Sequence, residues 1–83
     1  MPQMNRTQQA EVFAWALRPR LTGLDTRSQG DVLDEALTEA SRRAAEGDTR
    51  IWVTFGAWLA AQYDADYDAF NRWCKRVLRL ASK

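Results

Sequence analysis

The chain is predicted to be all-α, a small four-helix bundle with antiparallel or orthogonal packing. Three observations carry that expectation. Four segments repeat apolar residues at helical spacing, and Pro19, Ser28, Gly47 and Asp64 bound them. Ile51–Phe55 is the one strand-prone run, and a lone strand would leave its backbone groups unpaired. Its continuation, Gly56–Tyr63, is rich in good helix formers, so the run reads as the start of a helix.

That third helix, Thr49–Tyr63 with Asp48 or Thr49 as its N-cap, is the expected centre of the bundle. Ile51–Ala61 holds one hydroxyl and no charge, so the surrounding domain should wrap it. It is far shorter than the ~20 residues that span a bilayer, and no membrane partner is expected. At 100° per residue, Trp58, Ile51, Phe55, Leu59, Trp52 and Tyr63 form one wide arc. Thr54, Ala57, Ala60 and Ala61 lie opposite with Val53, a side where small residues would let another helix come close.

The other elements follow from the same periodicity. Met1–Arg6 lacks a pattern and is expected to fray, leaving residues 7–83 as a single domain. The first helix should start near Thr7 and stop before Pro19, whose ring disfavours helix at Arg18. Val12, Phe13, Ala16 and Leu17, with Ala10 and Ala14, make its apolar face, and Trp15 falls at the edge beside Glu11 and Arg18. Pro19–Arg27 reads as a connection anchored by Leu21 and Leu24. A capping-box variant, Ser28-Gln-Gly-Asp31, should open the second helix, which runs to about Glu46 before the left-handed stop at Gly47. Val32, Leu33, Ala36, Leu37, Ala40 and Ala44 share its apolar face, with Asp34, Glu35, Thr38, Arg42 and Ala45 opposite and Glu39–Arg43 as an i,i+4 pair. The fourth helix should run from about Asp66 to Ala81 on a stripe of Phe70, Trp73, Cys74, Val77, Leu78, Leu80 and Ala81.

Composition narrows the function classes. A domain of 83 residues buries only ~60–65% of its unfolded surface, and oligomerisation is a common supplement. Net charge is +1, so no bulk field selects nucleic acid or an acidic partner. The single Cys74 and the absence of a charged-then-apolar N-terminal segment fit a reducing cytoplasm. Ten Arg against two Lys, abundant Ala and a single Ile suit a GC-rich coding sequence, as in a small bacterial-type protein.

Without histidine, Ser–His and Cys–His catalysis are excluded and the usual zinc sets lose their commonest ligand. Asp64, Asp66 and Asp68 alternate as in a calcium loop, but Ala69 and Lys75 stand where its Gly and bidentate Glu belong. These acids read instead as a helix start, and Cys74 as a buried thiol. No enzyme, cofactor or metal is therefore expected.

Binding is the remaining class. Nine aromatic residues, four of them Trp, exceed what a core otherwise lined with Ala needs. Such rings are enriched at binding hot spots. A protein-binding face is expected from Trp15, Arg18, Trp52, Tyr63 and Tyr67, with a protein partner, a second copy of the chain included. The alternative is nucleic acid, tracked by the strip Arg72, Lys75, Arg76 and Arg79 on the fourth helix. The third and fourth helices also fit a helix-turn-helix template loosely, although Asp66 and Asp68 would then face phosphates.

Overall fold

A computed structural model describes residues 3–83. Four helices make up the architecture: α1 (Arg6–Leu21), α2 (Thr26–Ala45), α3 (Ile51–Ala65) and α4 (Tyr67–Ala81). No strand occurs among the described residues. α3 is the middle element, packed against all three others. It runs antiparallel to α2, since Arg43 meets Trp52 and Ala40 meets Gly56. It runs antiparallel to α1 as well, with Phe13 against Phe55 and Arg6 over Trp58. Trp58 against Trp73 and Tyr63 against Tyr67 make α3 and α4 a helical hairpin.

The helix ends differ from the sequence expectations in instructive ways. Asn5 caps α1 with a reciprocal capping box, its side chain accepting from Gln8 N–H while the Gln8 side chain accepts from Asn5 N–H. The expected fraying of Met1–Arg6 falls partly on residues 1 and 2, which lie outside the described residues.

Pro19 does not end the helix. It sits inside the last turn, and α1 continues to Leu21. Proline forfeits one bond to the carbonyl four residues back, here Trp15, on the solvent side of the helix. Burial of Leu21, which is nearly complete, offsets that loss. Leu21 is therefore helical core rather than a loop anchor, and Leu24 is exposed.

α2 starts earlier than expected. Asp25, not Ser28, is the N-cap, and its carboxylate accepts the Ser28 N–H at 2.8 Å. α2 stops where expected, with Gly47 at φ +94°. α3 begins at Ile51 behind Arg50, without a side-chain cap. Asp48 is occupied elsewhere, accepting from the Arg50 backbone at 3.0 Å and from its guanidinium at 2.6 Å. Asp66 alone separates α3 from α4 and caps α4 through the Ala69 N–H.

The core is built from Phe13, Leu17, Val53, Phe55, Leu59 and Val77, all essentially inaccessible. Two assignments around α3 need correction. Val53, placed with the small residues, is fully buried, whereas Ile51 and Tyr63 from the large arc are exposed. The close approach also lies elsewhere than the Ala57, Ala60 and Ala61 side. A Cβ on Gly56 would stand 2.6 Å from Ala40 Cβ and 2.9 Å from a Phe13 ring carbon. Glycine there lets α2 and Phe13 close onto α3 together. Because α3 is flanked by helices on several sides, its core face is wider than one arc.

Candidate functional site

The burial pattern of α1 defines the site. Ala10, Phe13, Ala14, Leu17 and Leu21 take all the core contacts, so they fix the helix's inner face. Val12 and Ala16, read as core from the sequence, are rotated out: Val12 is half-buried and Ala16 exposed. Trp15 is 72% exposed, the most open large apolar side chain among the described residues. Together with Met4, Gln8 and Glu11 these residues line a shallow groove along the outer side of α1. Its floor and walls are mostly hydrocarbon. α1 is thus apolar on both sides, and that is why its sequence shows little amphipathic contrast.

Arg18 closes one end of this face. Its guanidinium lies 5.8 Å from the Trp15 ring centroid, and its Nη2 donates a 3.3 Å bond to the Leu80 carbonyl. Its Nε is buried without a hydrogen-bond partner. Glu11 lines the groove one turn before Trp15. Neither Glu11 nor Arg18 joins any of the ion pairs among the described residues, which are Arg20–Glu35, Arg42–Glu46, Glu39–Arg43 and Asp48–Arg50.

The five aromatic-face residues fall into three groups. Trp15 and Arg18 belong to α1. Tyr63 and Tyr67 pack edge-on at 5.3 Å at the α3–α4 junction, both about half exposed, with Phe70 completing the trio. Trp52 is half-buried between the Arg43 and Arg50 guanidiniums, and it shares a narrow crevice with Phe13, Leu17 and Ala16. Ala16 therefore links the Trp52 crevice to the Trp15 groove, whereas the tyrosines line neither.

Arg72, Lys75, Arg76 and Arg79 are exposed and line one concavity on α4. Trp73, read as core, forms part of its wall, with Arg76 5.7 Å from the ring centroid. Arg72 joins none of the ion pairs among the described residues. One residue between α3 and α4 is also shorter than the three- or four-residue turn of a helix-turn-helix.

The titratable groups with displaced pKa values are tied to structure. Hydrogen bonds from the Arg50 side chain, then its backbone, hold Asp48 at about 2, and the Ser28 backbone N–H lowers Asp25. Burial first, and the nearby Asp34 charge second, push the Cys74 thiol up to about 12. At neutral pH Cys74 is a protonated, weakly reactive thiol. Among the described residues no group of three His, Cys, Asp or Glu could hold a metal ion, and no helix is long and apolar enough to cross a membrane.

These features define a class: a small helical bundle whose first helix carries an apolar outer face. Comparison with known proteins finds no family model, curated protein or solved structure that matches the chain.

Proposed function

We propose that the chain is a non-enzymatic protein-interaction domain of a reducing compartment, binding a protein partner through the outer face of α1. One observation carries the reading: Trp15 stands in water at the rim of a groove lined by Met4, Val12 and Ala16. An indole left exposed forfeits ~1.5–3 kcal/mol of apolar burial. A partner surface recovers that energy at little cost in side-chain entropy, since Trp has only two side-chain torsions. Trp52, reached through Ala16, extends the same surface towards α3.

A photo-crosslinking residue in place of Ala16 tests the reading in cells. The expected outcome is a discrete protein adduct that is absent when the probe replaces Thr38 on the outer face of α2 and is lost on Trp15→Ala. Trp15→Ala should weaken association by at least ~2 kcal/mol and move the stability of the lone chain by under ~1 kcal/mol. No adduct at Ala16 contradicts the proposal.

A second reading has its own observation, the four cations of α4 grouped around Trp73. Arginines beside a half-buried indole resemble the stacking-plus-charge surfaces that hold single-stranded nucleic acid. Retention of a labelled oligonucleotide at physiological salt, with a steep salt slope that flattens by about one for each cation removed, would favour it. The acids Asp66 and Asp68 at the head of α4 weigh against it, and little retention is expected.

A further inference from the structure

We infer that the partner of the α1 face is a second copy of the chain, bound antiparallel across a two-fold axis that passes close to Trp15. The inference rests on the reading of α1 as a binding face and names its occupant.

Gln8, Glu11, Trp15 and Arg18 follow one another at intervals of three and four residues, so they form a continuous stripe on the outer side of α1. Glu11 and Arg18 are two turns apart, ~10.5 Å along the axis, too far to pair with each other. Neither has an ion-pair partner among the described residues. Arg18 makes one long bond to the Leu80 carbonyl and, among the described residues, no bond to a carboxylate. The stripe therefore reads acid, indole, base, with the indole within half a residue of the midpoint.

Such a stripe complements itself in one orientation. In an isologous contact each residue of one copy meets its mirror position on the other. Turning a second α1 end for end about an axis near Trp15 puts Glu11 opposite Arg18 of the other copy, twice. It also lays the two indoles beside each other, each over the other copy's Val12 and Ala16. A parallel arrangement would set Glu11 against Glu11 and Arg18 against Arg18, a like-charge cost that specifies against it. Only one helix per copy takes part, so the dimer should be weak and reversible.

Charge reversal tests the arrangement with the full chain. Sedimentation velocity over a concentration series reaching the millimolar range should show the wild type dimerising. Glu11→Arg alone and Arg18→Glu alone should each weaken the dimer at least ~10-fold, because each sets like charges opposite each other. Mixed in equal amounts, the two variants should form a heterodimer near wild-type affinity, since both contacts across the axis then join an acid to a base again. Circular dichroism checks that Arg18→Glu folds; if it does not, Glu11→Arg still decides, as Glu11 is exposed and makes no ion pair among the described residues. A wild type that stays monomeric, a dimer indifferent to Glu11→Arg, or a mixture no tighter than either variant alone overturns the two-fold pairing. A monomeric wild type that gives a Trp15-dependent adduct of a different protein in cells overturns this inference alone. Loss of both the dimer and the adduct overturns the binding face as well.

Discussion

The outer faces of α1 and α4 sit on helices of similar length in the same bundle, yet they meet water with opposite chemistry. α4 presents Arg72, Lys75, Arg76 and Arg79, and its apolar residues turn towards the core. Charged heads on hydrocarbon stems cover the half-buried Trp73 and keep that face soluble. α1 presents Val12, Trp15, Ala16 and Pro19, with Glu11 and Arg18 only at the margins. Its inner face is already complete without them. A helix that fills its core contacts and still carries a large ring outside is suited to a second surface. What sets α1 apart is a large ring left in water, although a row of four cations is easier to see in a sequence.

The largest expected effect contrasts the two sides of α1 itself. Phe13 is fully buried against Phe55, and Phe13→Ala should cost about 3–5 kcal/mol in denaturant unfolding. Trp15→Ala on the same helix should cost under ~1 kcal/mol. Similar losses for both would break the comparison, because Trp15 would then be core. Gly56→Ala comes next. The new methyl would collide with Ala40 and Phe13, disturbing the seat of α1 more than that of α4, at a net cost of roughly 1–3 kcal/mol. Adding Ala40→Gly should return part of it, and an unaffected Gly56→Ala midpoint would contradict the close packing. On α4, Arg79→Gln should move stability by less than ~0.5 kcal/mol, as expected of a solvated face.

The smallest effect is a control away from both faces. Asp48 is held at about 2 and Asp25 is also lowered, while an unfolded Asp titrates near ~3.9. The unfolded chain then binds protons first on acidification. The stabilisation from these carboxylates is complete above pH ~4 and is lost as the pH falls towards 2. Asp48→Asn should flatten acid unfolding in that window and leave association unchanged. An acid transition identical to wild type would contradict the Asp48–Arg50 bond as its source.

Much of the fold was legible because periodicity and turn residues agree. The four helices, Gly47 as a stop and the Glu39–Arg43 pair all follow from local spacing. What local rules missed was decided by tertiary contacts. Pro19 reads as a terminator until the burial of Leu21 is known, and Ser28 reads as a cap until Asp25 is seen to reach its N–H. Gly56 looks like a weak helix residue, and only the approach of Ala40 and Phe13 gives it a role. At the candidate site, the position of Trp15 at the edge of the apolar face could be read from the sequence. Met4, Val12 and Ala16 could not be placed there, because an apolar residue beside a core face carries no mark of which way the helix is turned. Taking Phe13, Leu17 and Leu21 as one inner stripe would have turned it correctly, but Pro19 hid Leu21 from the helix.

The most direct test of the α1 face is fluorine NMR of the chain labelled with 5-fluorotryptophan, recorded as its concentration is raised. Each of the four indoles gives one line, and Trp15→Phe assigns the line of interest. The Trp15 line should shift and broaden with concentration, Trp52 should follow weakly through the shared crevice, and Trp58 and Trp73 should stay fixed. A Trp15 line that holds its position while Trp73 moves would contradict the α1 face and place the contact on α4.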